Sequence, residues 1–143
     1  MTTEQKLTRG ERNNNPGNVR ESAGDTTRWS GERDTDDDRA FEEFKTPHDG
    51  IRALAKVLLA YQRKHGLDTI REIITRWAPS SENNTESYIL AVASSMNVPD
   101  DAPLYLGDET VLQNLVSAII RHENGRCIYP RSQIMAAVQA ALA

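Results

Sequence analysis

Thr46-Pro47-His48-Asp49-Gly50-Ile51-Arg52-Ala53-Leu54-Ala55-Lys56-Val57-Leu58-Leu59-Ala60-Tyr61-Gln62-Arg63-Lys64-His65-Gly66 reads as one amphipathic helix with its own start and stop. Thr46 is an N-cap residue type, Pro47 suits a first helical position whose N–H has no intrahelical partner, and Asp49 stands three residues after the cap. Ile51, Leu54, Ala55, Leu58, Leu59 and Gln62 then follow the 3.6-residue period, and Gly66 can take the left-handed conformation that ends a helix. The same grammar continues toward the C-terminus. A second helix is expected from about Thr69, with Ile70, Ile73, Ile74 and Trp77 on one side, and Ala78-Pro79 stops it. A third follows Asn84 or Thr85, with Tyr88, Ile89, Val92, Ala93 and Met96 as its stripe. After a connector at Pro99 to Pro103, a fourth is capped by Asp108, carries Val111, Leu112, Leu115, Val116, Ile119 and Ile120, and ends at Gly125. Pro130 or Ser132 opens a last helix with Ile134, Met135, Val138, Ala141 and Leu142.

Upstream of residue 46 the chain changes character. Residues 1–45 hold 11 acidic and 8 basic side chains, few aliphatic ones, and many Asn, Gly and Asp. Trp29, Phe41 and Phe44 need burial, so this part is expected to be loops and short extended pieces rather than a disordered tail. The run Asp34-Thr35-Asp36-Asp37-Asp38 reads as a solvated loop tip, since the ligand spacing of a calcium loop is absent. The expected architecture is mainly α (α+β), a single domain over 1–143, with a loop-rich, slightly β lobe at 1–45 and a helical lobe at 46–143.

Composition bounds the function. A chain of 143 residues fits one domain. A net charge of −4 and a pI of about 5.4 argue against a dedicated nucleic-acid binder, which needs clustered Lys and Arg. Mean hydropathy is −0.62, and no segment approaches the ~20 apolar residues of a membrane span. The N-terminal residues lack an apolar core, so no secretory signal peptide and synthesis in the host cytoplasm are expected. Cys127 stands alone, which excludes an internal disulfide and a cysteine-based zinc site. His48, His65 and His122 lack metal-ligand spacing, and no phosphate loop or dinucleotide fingerprint occurs, so no metal and no cofactor are expected.

Three segments could carry chemistry. Arg9-Gly10-Glu11-Arg12-Asn13-Asn14-Asn15-Pro16-Gly17-Asn18-Val19-Arg20 makes a stiff, amide-rich turn; its carboxamides suit either the local backbone or a sugar. In Ala118-Ile119-Ile120-Arg121-His122-Glu123-Asn124-Gly125, Glu123 sits in the last turn of an apolar helix. The partial negative charge of that end disfavours a carboxylate and favours a general acid, unless Glu123 is an exposed partner of Arg121 or Arg126. In the third, Arg76-Trp77-Ala78-Pro79 through Tyr88, the rings of Trp77 or Tyr88 either pack in the core or stack on a sugar face.

Together with Trp29-Ser30-Gly31 and Phe41-Glu42-Glu43-Phe44-Lys45-Thr46-Pro47-His48-Asp49-Gly50-Ile51-Arg52-Ala53, these segments resemble a family of phage- and prophage-encoded lysozyme-like proteins. That family is related to lytic transglycosylases, and its members are often described only as virion structural proteins. The resemblance covers most of the chain. It implies a lysozyme-like domain that acts on, or docks at, peptidoglycan glycan strands, with other virion or tail proteins as further partners and action in the virion, tail or periplasm after delivery. Longer relatives carry the catalytic Glu on a helix upstream of the Asn-rich turn, which is missing here. Either Glu11 serves, or the helix ending in Glu123 fills the vacant place as in a circular permutation; the buried helix end favours Glu123. Asn15, Asn18 and Trp77 are the expected sugar contacts, and Asp25, Glu32 and Asp34 the pool for a second carboxylate. The implied activity is that of a muramidase or lytic transglycosylase cleaving between N-acetylmuramic acid and N-acetylglucosamine. The alternatives are a non-enzymatic virion or wall-binding protein and a secreted antibacterial effector.

Overall fold

The computed structural model describes residues 6–21 and 28–143. Six helices follow one another: α1 (Arg9–Arg12), α2 (Pro47–His65), α3 (Ile70–Trp77), α4 (Thr85–Met96), α5 (Glu109–Asn124) and α6 (Arg131–Leu142). Five sit where the periodicity puts them, and their ends show why. Thr46, Thr69, Asn84 and Asp108 each accept a backbone N–H from the first turn that follows. Gly66 and Gly125 close α2 and α5 at φ 64° and 73°, and Asn97 closes α4 at φ 56°. The sixth, α1, lies inside the segment expected to be a turn. Its sequence signal was the capping box Thr8-Arg9-Gly10-Glu11, in which Thr8 Oγ1 accepts from Glu11 N while Glu11 Oε1 accepts from Thr8 N.

One cluster of buried apolar side chains runs from Val19 and Phe44 through α2–α5 to Ala141 of α6. The closest helix partnership is α2 with α6, followed by α5 with α4 and with α6. Leu54, Leu58, Ile73, Leu112, Leu115, Val116 and Ile119 are fully buried, so the stripes read from sequence meet at the centre.

The N-terminal lobe is as loop-rich as expected and departs from expectation in its acidic run. Among the described residues its β content is limited to two isolated antiparallel bridges, Arg20 with Phe41 and Glu32 with Phe44. Side chains replace the missing ladder: Asn15 donates to the carbonyls of Val19 and Glu42 at 3.0 and 2.9 Å and accepts from Val19 N at 2.9 Å. Nor is the acidic run uniformly solvated. Asp34 to Asp37 are exposed, but Asp38 turns inward, held by Arg9 at 2.6 and 2.7 Å, by Asn13 Nδ2 at 2.9 Å, and by the N–H groups of Ala40 and Phe41. The Arg9 guanidinium holds its carboxyl well below the usual range. Phe44, fully buried, ties this lobe to the helices, its N–H bonded to Asn13 O at 2.8 Å.

The Asn-rich turn can pack so closely because of its small residues. A side chain at Gly17 would collide with Leu54 of α2, and one at Gly50 would collide with the carbonyl of Asn14. Asn14 and Asn18 adopt left-handed φ values of 51° and 54°, which asparagine tolerates better than other side-chain-bearing residues.

Candidate active site

Between the N-terminal lobe and the helices lies a cleft of about 480 Å³. One wall is the chain from Gly17 to Arg20 with Trp29, Phe41 and Glu42; the other is Val57 and Tyr61 of α2, the end of α3 at Arg76 and Trp77, and the loop from Ala78 to Asn83. Glu123 reaches it from the last turn of α5.

The two oxygens of Glu123 have different partners. Asn18 Nδ2 donates to Oε1 at 2.9 Å from the Asn-rich turn, and Tyr88 Oη donates to Oε2 at 2.7 Å from α4. Trp77 Nε1 donates in turn to Tyr88 Oη at 3.2 Å, so a relay of donors runs from the cleft wall to the carboxyl. Burial and the adjacent Glu123 push the Tyr88 hydroxyl well above its ordinary range, which keeps it protonated as a donor. The His122 ring lies against the Tyr88 ring with centroids 3.8 Å apart. Behind Glu123, Asn124 Nδ2 donates to Pro16 O at 2.7 Å and its Oδ1 accepts from Thr8 Oγ1 at 2.5 Å. The end of α5 is therefore fastened both to α1 and to the turn that carries Asn18.

Of the residues singled out in sequence, Glu123, Asn18 and Trp77 come together in this cleft, while Glu11 and Asn15 do not line it. Glu11 is 4% exposed and forms a two-pronged pair with Arg126, at 2.7 and 3.1 Å, which lowers its pKa below the ordinary carboxyl value. Asn15 is wholly buried, its carboxamide engaged with backbone. Neither Glu32 nor Asp34 lines the cleft; Glu32 accepts from Trp29 N at 2.6 Å, and Asp34 pairs with Arg28. Asp25 lies outside the described residues.

Sequence reasoning missed Glu42. It is 7% exposed yet lines the cleft, and burial together with a hydrogen bond to Glu32 pushes its carboxyl up to about 8. The clue was there in Phe41-Glu42-Glu43-Phe44: two adjacent acids between two rings cannot both point to water from an extended chain. Arg20 and Arg76 add positive charge to the walls, and Arg20 meets Glu82 at 3.2 Å, with both side chains about half exposed. No group of three or more His, Cys, Asp or Glu side chains that could hold a metal occurs among the described residues. No helix there is long and apolar enough to cross a membrane.

The sequence matches none of the known protein-family models. It is similar to Protein P5 of Pseudoalteromonas phage PM2, with 47% identity over 126 residues, which cover 88% of this chain and 77% of that protein. A match of that extent takes in both lobes and the cleft between them, and the chain belongs to the bacteriophage protein family that includes Protein P5.

Proposed function

We propose that this phage protein cleaves the glycan strand of peptidoglycan on a lysozyme-like scaffold formed by residues 1–143, with Glu123 as the acid that protonates the departing glycosidic oxygen. The observation that carries this reading is a carboxyl at a helix end, opening into a polar and aromatic cleft, with one neutral donor on each oxygen. Such donors fix the carboxyl's orientation toward the cleft and set no fixed positive charge beside it. Asn18 and Trp77 line the same walls and are the proposed sugar contacts, Trp77 through its ring face and Asn18 through its carboxamide.

Glu42 bears on the reaction type. A retaining or inverting hydrolase needs a second carboxyl that is ionised and able to attack or to activate water. Glu42 keeps its proton up to about pH 8. A protonated carboxyl does neither, and Glu82, the cleft's remaining acid, is spent on Arg20; this favours a lytic transglycosylase, in which the muramyl sugar's own hydroxyl closes a 1,6-anhydro ring. Glu123 then acts first as acid toward the leaving oxygen and afterwards as base toward that hydroxyl.

Membership in a phage family favours a second reading, a particle component that grips the wall in this cleft without cutting it. In that case the Asn18 bond to Glu123 only locks the lobes together, and the Tyr88 bond only joins α4 to α5. Turbidity loss of chloroform-permeabilised Gram-negative cells separates the two. The enzyme lyses them and releases fragments with 1,6-anhydro ends by mass spectrometry, and Glu123→Gln does not. A wall binder sediments with insoluble peptidoglycan and releases nothing. The same phage relationship supports delivery to the wall by a particle or its tail, with other virion proteins as partners.

A further inference from the structure

On α5, Arg121 and Glu123 are two residues apart and so point roughly 200° apart around the axis. The flank carrying Arg121 has its own depression, of about 320 Å³, which shares no lining residue with the cleft. Gln113, Ser117 and Arg121 line it at i, i+4, i+8 spacing, Ser95 joins from α4, and Arg131 and Ile134 join from the first turn of α6.

Three features of this depression agree. No acidic side chain lines it, and neither Arg121 nor Arg131 has a carboxylate partner among the described residues. Arg121 spends one of its donors on Ser95 Oγ at 2.7 Å. Helix α6 opens at Arg131 behind Pro130, which offers no side-chain cap; Gln133 N bonds Pro130 O at 3.0 Å, and the N–H groups of Arg131 and Ser132, with the partial positive charge of the helix start, are left for another acceptor. Third, Gln113 is 4% exposed, its Nε2 donates to Ser117 Oγ at 2.8 Å, and its Oε1 has no partner. Turning the carboxamide over exchanges acceptor for donor and still leaves one polar atom unmatched, because the serine hydroxyl satisfies only one of them. Among the described residues only Asn18 Oδ1, in the cleft, shares this lack of a partner, and at Gln113 a ligand in the depression can supply the missing bond.

We propose that this depression binds the carboxyl terminus of a peptide. Arg121, Arg131 and the start of α6 take the carboxylate; the carboxamide of Gln113 meets the adjoining amide group; Ile134 gives the terminal side chain an apolar contact. A bare inorganic anion needs the two arginines but neither Gln113 nor Ile134, and that is the reason for choosing a peptide. The site stands independently of glycan cleavage.

The test is an amide-resolved NMR titration of the full chain with N-acetyl-alanyl-alanine, with its C-terminal amide, and with inorganic phosphate. The free acid is expected to shift Arg121, Arg131 and the Gln113 side chain saturably. Arg121→Gln and Arg131→Gln, both at exposed positions, should each weaken that binding on the order of tenfold. Three results overturn the proposal: no saturable shift with the acid, equal binding of acid and amide, or phosphate binding as tightly as the peptide. Lysis activity plays no part in the readout, so a failure here leaves the glycan reading intact, and the reverse holds.

Discussion

Glu11 and Glu123 hold corresponding positions at two ends of one seam. Each is a glutamate beside the Asn-rich turn, and each was a candidate acid in sequence, yet their surroundings are opposite. Glu11 is gripped by the Arg126 guanidinium and caps α1. Glu123 is gripped by a carboxamide and a phenol, and it opens into the cleft. A cationic partner commits a carboxyl to its ionised form and to a structural task; neutral donors aim it and set no fixed positive charge beside it. What separates the two glutamates is the charge of their partners, since both are substantially shielded from water.

The widest split between them should appear in catalysis. Glu123→Gln keeps the size of the side chain and the acceptor for Asn18, but it cannot deliver a proton. Lysis by this variant is expected to fall roughly 10²–10⁴-fold while binding to insoluble peptidoglycan persists. Glu11→Gln should do the reverse. It retains lysis per folded molecule and loses roughly 2 kcal/mol of stability, measured by urea unfolding, because charge-assisted bonds to a buried group become ordinary ones. The linkage sign follows from the lowered pKa of Glu11: its contribution is complete above the ordinary value of 4.5 and is lost as pH falls through the depressed one. Acid unfolding should therefore begin at higher pH in the wild type than its neutral-pH advantage over the variant suggests. Equal lysis defects in the two variants would erase the distinction.

Most of this frame is legible in the sequence, and the remainder is illegible for identifiable reasons. Helices α2 to α6 announce themselves because each carries a period, a cap and a stop within its own residues. The cleft is different. That Asn18 and Tyr88 converge on Glu123 depends on contacts across 105 and 35 residues, and no local pattern encodes such distances. Asn15 and Asn18 look alike in the turn, yet one carboxamide ties backbone and the other reaches α5, a difference that nothing in the local sequence marks. Glu42 was hidden for a further reason: its character comes from desolvation and from Glu32, ten residues upstream and on another segment.

Glu42 supplies the next contrast with Glu11, of opposite sign. Its raised pKa means that the folded chain holds a proton the unfolded chain releases between about pH 4.5 and 8. Stability from this group is complete below about 4.5 and drains away as pH rises toward 8. In Glu42→Gln the Tm should be flatter across that interval, and the gap from wild type should move in the variant's favour up to about pH 8 and stay constant above it. A wild-type Tm that climbs from pH 5 to 8 as steeply as the variant's would show Glu42 ionised in the fold, and would restore it as a hydrolase's second carboxylate.

The smallest effect tests whether the donors on Glu123 aim it or merely anchor it. Tyr88→Phe removes one hydroxyl, leaving Glu123 Oε2 and Trp77 Nε1 without that partner while the ring still stacks on His122. The stability cost should be about 1 kcal/mol, the net value of a typical hydrogen bond. If the phenol only anchors, lysis per folded molecule is unchanged and the loss appears in urea unfolding alone. If it aims the carboxyl, kcat falls severalfold with KM nearly constant, because the sugar still finds Trp77 and Asn18 while the acid no longer faces the glycosidic oxygen. The same substitution leaves Glu11 and Arg126 untouched, so any change in acid unfolding would have to come from the cleft. A kcat loss confined to the cleft carboxyl, alongside an unaltered dependence of stability on pH below 4.5, is what the difference between a neutral and a cationic partner requires.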